Sequence, residues 1–203
     1  EEVEIRGVKT RVWKNAPPTL RDTVLFGRSH GDKIFLIHEG ERVSFEAFYR
    51  AVTQMAAELE AFGVQKGDRV AIQMPNCISY PIALFGILKA GCVVVNVNPL
   101  YTDREMEHAF NDSGATVLII IDMFADKLPR VLPKTGIKHV ITVSLADFFP
   151  LPLKMLIKSL LKLKKQIPPC TVPHLPLPQA LAAGHTRLAQ TETAWARAGT
   201  QGQ

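Results

Sequence analysis

Lys154, Lys158, Lys162 and Lys165 are the residues whose type and spacing point most directly to a chemical task. At steps of four, four and three they fall within one narrow arc of a helix, while Leu153, Leu156, Ile157, Leu160 and Leu163 take the opposite side and no acidic residue interrupts them. Cationic side chains bordering a leucine stripe suit an anionic membrane surface, where each lysine near the lipid adds about 1 kcal/mol. The same pattern fits a surface helix that packs its leucines on its own sheet, and the residues alone leave both readings open. Pro168 and Pro169 end the helix.

Elsewhere the residue types that catalysis needs do not converge. A phosphate loop wraps backbone amides around an anion and ends in lysine followed by a hydroxyl residue. Gly86 and Gly91 have the interval, yet Cys92 and Val93 stand where those two residues belong. No G-x-G-x-x-G follows a strand, and no G-x-S-x-G nucleophile elbow occurs. His30, His38, His108, His139, His174 and His185 contain no H-x-x-x-H pair, so no metal site is expected. Cys77, Cys92 and Cys170 form no C-x-x-C pair and suggest neither a disulfide framework nor zinc, which fits a reducing compartment. Ser79 and Ser113 read as helix-end residues, and Glu105, Glu107 and Asp112 as charges on an exposed helix. From the residues, then, no catalytic, cofactor-binding or metal-ligating position is assigned. Nucleic acid is not expected as a partner, because the lysines are backed by leucines and no aromatic residues interleave with them as stacking platforms. The net charge of +5 is too mild to argue otherwise.

The elements that must position these residues read as an α/β fold: a mostly parallel, doubly wound sheet with flanking helices. The 203 residues suffice for a sizeable core. Residues 1–32 read as an irregular arm with a short helix over Thr19 to Gly27. An α/β subdomain spans 33–149. It opens with a hairpin, Lys33 to His38 and Arg42-Val43, and a helix from Phe45 to about Phe62 capped by Ser44. Strands follow at Arg69–Met74, Val93–Val97, Ala115–Ile121 and His139–Val143, with helices at Ile78–Ala90, after Thr102, and around Met123–Leu132. The stretch from Gly91 to Gly114 is the most explicit. Its valines predict a strand covered on both faces, Asn98-Pro99 a turn, and Thr102 with Glu105 a capping box. Parallel neighbours need crossover helices, and the alternation supplies them. The basic helix occupies 150–170. Residues 171–203 hold few large apolar residues and read as a flexible or truncated tail. Pro81 to Val97 is interrupted by Lys89, Gly86 and Gly91 and does not predict a membrane span, and the first residues carry no secretory pattern. The expected location is cytoplasmic, with peripheral attachment at the inner face of the membrane if the basic helix meets lipid.

The segments QMPNCISYPIALFGILKAGCVVVNVNPLYTDREMEHAFNDSGATVLI and ADKLPRVLPKTGIKHVI closely resemble the N-terminal part of bacterial long-chain fatty acid-CoA ligases, members of the adenylate-forming AMP-binding superfamily. The resemblance runs from Gln73 to about Gly184, and the earlier stretch IRGVKTRVWKNAPPTLRD through QKGDRVAI is similar to acyl-CoA synthetases of a somewhat different branch. It implies an incomplete part of the large N-terminal domain of such an enzyme. For the whole enzyme it implies fatty acid, Mg-ATP and CoA as ligands, with an acyl-adenylate intermediate that CoA converts to acyl-CoA and AMP. The family's Ser/Thr/Gly-rich phosphate loop is expected soon after the segment matching Leu177 to Gly184. Here the residues are HTRLAQTETAWARAGTQGQ instead. The resemblance therefore implies an ATP-dependent acid-thiol ligase by family whose catalytic motifs this stretch lacks, and an inactive chain when taken alone.

Overall fold

The structure is a computed structural model that describes residues 2–5, 7–11, 29–164 and 167–200. Two antiparallel hairpins come first: β1 (Glu2–Ile5) with β2 (Val8–Arg11), and β3 (Ile34–His38) with β4 (Glu41–Ser44). The first hairpin gives regular structure to part of the arm read as irregular. The helix expected over Thr19 to Gly27 lies outside the described residues. Ser44 then caps α1 (Phe45–Ala61), its hydroxyl accepting from the Ala47 amide at 3.2 Å. Phe48, Val52, Met55 and Leu59 recur at helical spacing and are all buried.

The remaining strands, β5 (Arg69–Gln73), β6 (Val93–Asn96), β7 (Val117–Ile121), β8 (His139–Val143) and β9 (Leu175–Pro176), form one parallel sheet in the order β6-β5-β7-β8-β9. Between them run α2 (Ser79–Lys89), α3 (Asp103–Ser113), the short α4 (Leu128–Val131) and α5 (Leu151–Leu163), and α6 (Leu177–Thr200) follows β9. Along the chain, the path leaves β5 on one side for β6 and returns across it to β7. The carboxyl ends of β5 and β7 therefore flank the topological switch point of an open α/β sheet.

Both faces of the sheet are covered. Val70, Ile72, Val117, Ile119, Ile121 and Val143 pack with α1 and α2 on one side, joined by Leu177 and Ala180 of α6. Ala71, Leu118, Ile120 and Val140 pack with Met106 and Phe110 of α3 and with Leu128 and Val131 on the other. This is why ATVLIII is apolar without alternation: every residue of β7 is buried.

Three expectations change. The valine run at 93–97 was expected to be covered on both faces, but β6 is an edge strand and Val93 is 48% exposed. β5 pairs with β6 on one side and β7 on the other, and no feature of the valines themselves specifies which strand ends at the margin. The helix expected around Met123–Leu132 is broken into a 3₁₀ segment (Asp122–Lys127), α4 and a second 3₁₀ turn (Leu132–Lys134). Pro129 and Pro133 cannot donate the amides that a continuous helix requires. The stretch 171–203 is not a flexible tail throughout its described part. It supplies β9 and α6, and Leu177 and Ala180 are fully buried. Small residues make this possible: Gly184 lies directly against the backbone of Gln54, so α6 seats closely on α1, and Arg187 Nε donates to the buried Glu58 Oε2 at 3.1 Å. For α5, where two readings were open, Leu156, Leu160 and Leu163 are exposed rather than packed on the sheet.

The capping box forms as expected. Thr102 N donates to Glu105 Oε2 at 2.8 Å, the Glu105 amide donates to Thr102 Oγ1 at 3.4 Å, and Gly114 ends α3 in the left-handed region at φ 64°. These hydrogen bonds to the Thr102 amide and hydroxyl hold the Glu105 carboxyl below its ordinary range.

Candidate functional site at the carboxyl edge of the sheet

In an open parallel sheet, ligands bind outside the carboxyl ends of the strands. Among the described residues, four of the five buried polar side chains fall there: Gln73 at the end of β5, Ser79 at the start of α2, Thr142 near the end of β8, and Ser144 just beyond it. Gln73 Nε2 donates to the Asn98 carbonyl at 3.1 Å, tying the turn after β5 to the turn after β6, while its Oε1 is buried without a partner. Asn98 Oδ1 accepts from Leu100 N at 2.9 Å, and Lys127 Nζ donates to the Tyr101 carbonyl at 2.6 Å. Asn98, Tyr101 and Glu105 thus serve the turn and the cap, as their spacing implied.

The loops after β7 and β8 form a second group. Asp122 follows the last apolar residue of β7, and burial pushes its carboxyl up, with Asp147 adding to the shift. The Ser144 hydroxyl, the Lys158 ammonium and the Met123 amide oppose it. Ser144 Oγ is itself buried without a well-formed hydrogen bond. Asp147 is almost fully enclosed. Its Oδ2 accepts from Ser144 N at 2.8 Å and its Oδ1 lies 3.6 Å from both Lys154 Nζ and Lys158 Nζ. Asp122, Thr142, Ser144, Asp147, Lys158 and His174 line a cavity of about 490 Å³. Such a cavity can hydrogen-bond a polar ligand.

Because the folded pKa of Asp122 is raised, its contribution favours folding at low pH and is lost as pH rises through that value. Asp122→Asn is therefore expected to raise the thermal midpoint at neutral pH, and the gain should vanish near about pH 3, where the free carboxyl is already protonated. Circular-dichroism melts at the two pH values check this. An unchanged or lower midpoint at neutral pH sinks it.

Of the four lysines singled out in the sequence, the structure brings Lys154 and Lys158 together on Asp147. The side chain of Lys162 and the whole of Lys165 lie outside what is described. Asp122, Ser144, Asp147 and Gln73 were not singled out by sequence reasoning, although a signal existed. Each stands at or just after the end of a parallel strand, where a polar residue has no core to join. The cysteines are not activated: burial raises Cys77, Cys92 and Cys170 above the ordinary thiol value. Among the described residues no group of three His, Cys, Asp or Glu side chains could hold a metal ion.

A family comparison decides the lineage of this fold. The model of the AMP-binding enzyme family matches residues 25–184. The chain belongs to the AMP-binding enzyme family. Within that family it is 42% identical over 154 residues to the long-chain-fatty-acid–CoA ligase of Escherichia coli O157:H7, a match covering 75% of this chain and 27% of that protein. It is also 42% identical over 149 residues to the Haemophilus influenzae protein of the same name, covering 72% and 26%. Among solved structures, a long-chain-fatty-acid-CoA ligase from Archaeoglobus fulgidus aligns with TM-score 0.58 and 27% identity over 67% of this chain and 30% of that one. A putative long-chain-fatty-acid CoA ligase from Rhodopseudomonas palustris gives TM-score 0.62 over 80% and 36%, and at 20% identity shows the shared fold. The chain spans about a quarter of the length of the curated relatives it matches, 27% in the first case.

Among the described residues, the phosphate loop and carboxylate cluster that ATP and Mg²⁺ of the family would need are not assembled. No glycine-rich loop precedes α2, α3 or α5 to direct amides at a phosphate.

Proposed function

We propose that this chain is the N-terminal part of a long-chain fatty acid-CoA ligase. The complete protein would join fatty acid and CoA at the expense of ATP through an acyl-adenylate, releasing AMP and diphosphate. The observation that carries the reading is the 42% identity, over 75% and 72% of this chain, to two proteins bearing that name. The part played here is scaffolding: a sheet sealed on both faces whose carboxyl edge is offered to whatever completes the enzyme. Taken alone, the 203 residues are expected to be inactive, since among the described residues neither a glycine-rich phosphate loop nor a cluster of carboxylates for a metal is assembled.

The expected result has two arms. The purified chain forms no acyl-CoA from fatty acid, Mg-ATP and CoA. A chimera in which residues 29–184 replace the matching stretch of the Escherichia coli relative does form it. Activity of the chain alone removes the scaffold assignment, and a folded but inactive chimera removes the ligase assignment.

A second reading is favoured by one observation, the outward apolar face of α5. It makes the chain a non-catalytic, peripheral membrane- or partner-binding module acting through the basic helix, with Lys154, Lys158, Lys162 and Lys165 as its surface. In both readings the location is cytoplasmic, and the second adds the inner face of the membrane. Among the described residues no helix is long and apolar enough to cross a membrane.

A further inference from the structure

The side chains of α5 are arranged in the reverse of the usual amphipathic order. Lys154, Ile157, Lys158 and Leu161 turn toward the body of the protein, with both ammoniums at Asp147, while Leu151, Met155, Leu156, Leu160 and Leu163 face outward. The exposures are large, 56% for Leu156 and 81% for Leu163. Among the described residues, no other helix or strand packs extensively against α5. An apolar ridge of this kind is the sort of surface that other molecules cover.

The charge around the ridge indicates what covers it. Between Asp147 and Glu192 the sequence contains no acidic residue, yet it holds Lys154, Lys158, Lys162, Lys164, Lys165 and Arg187. Asp147 pairs with Lys154 and Lys158, and in the sequence Lys162, Lys164 and Lys165 flank the last outward leucine, Leu163. Apolar residues that enter an acyl boundary, followed by a lysine cluster at headgroup level, match an anionic phospholipid surface. At 13 residues α5 is about 20 Å long, suited to lying in the plane of the interface.

We propose that the leucine ridge of α5, held outward by the pairing of Lys154 and Lys158 with Asp147, inserts into an anionic bilayer surface. This rests on the membrane-module reading and changes its contact: Leu156, Leu160 and Leu163 enter the lipid, and Lys154 and Lys158 act as positioning residues.

The test is co-flotation of the full chain with phosphatidylcholine vesicles, with and without phosphatidylglycerol, at low and high salt. The chain should float with the anionic vesicles only, less so as salt rises. Leu156→Gln with Leu160→Gln, both exposed and so compatible with folding, should weaken binding about tenfold or more. Lys164→Gln should weaken it about fivefold. Lys154→Gln with Lys158→Gln, which removes the pairing that holds the ridge outward, should weaken it about threefold, less than the leucine replacements do. Circular dichroism confirms that each variant is folded. No flotation of the parent chain overturns the membrane reading altogether. Flotation that is lost with Lys154 and Lys158 but survives the leucine replacements overturns only the ridge as the contact. A fall in oligomer size on leucine replacement, without lipid binding, assigns the ridge to a second copy and overturns the proposal.

Discussion

Phe110→Ala lowers the stability of the chain by about 4 kcal/mol. Phe110 is fully buried on the face of the sheet that α3 covers, in one cluster with Met106, Ala115, Leu118 and Leu128. Removing the ring deletes transfer energy and leaves a cavity, because β7 is fixed in register with β5 and β8 and cannot collapse into the space. Phe110→Leu keeps most of the volume and should cost far less, about 1 kcal/mol. Urea unfolding followed by circular dichroism measures both. A loss below about 1 kcal/mol for the alanine variant would mean that α3 is not seated as described.

Gly184→Ala separates two physical effects of opposite sign. Helix propensity alone predicts that alanine inside α6 stabilises by about 1 kcal/mol. In the fold, a Cβ at this position overlaps the Gln54 carbonyl oxygen and comes within 2.8 Å of the carbonyl carbon and 3.1 Å of the Cα. These are backbone atoms that cannot rotate aside, so α1 and α6 must part, at a cost of about 3 kcal/mol. The net expectation is a loss of about 2 kcal/mol, read from the urea midpoint at constant slope. A stabilised variant would show that α6 does not dock on α1. Leu177 and Ala180 sit on the same face of α6, so the loss should also loosen the edge strand β9, which leads directly into that helix.

The family and most of the elements were legible in the sequence because they rest on local rules. Ser44, Thr102 with Glu105, and Gly114 fix helix ends through hydrogen bonds made within a few residues, and each was found where spacing placed it. The continuous apolar run at 115–121 reads as a strand, and the fold buries every residue of it from Val117 to Ile121. The carboxyl-edge site was less legible. Asp122, Ser144 and Asp147 are separated by up to 25 positions, and their common cavity exists only because β7 and β8 are neighbours. Gln73 reads as an ordinary strand-end residue until β6 and β7 close on either side of it.

By itself, the sequence determined the alternation of strands and helices, the capped unit from Gly91 to Gly114, the resemblance to fatty acid-CoA ligases and the amphipathic character of 150–170. All of these depend on periodicity, on near-neighbour spacing or on residue order. Tertiary structure alone decided that the valine run lies at an edge, that 175–188 joins the core, and that the basic helix shows its leucines to solvent. Strand order is set by long-range pairing. The docking of α6 follows from a close backbone approach at Gly184. The facing of α5 follows from one buried carboxylate, Asp147, which draws two lysines inward and turns the opposite side of the helix out.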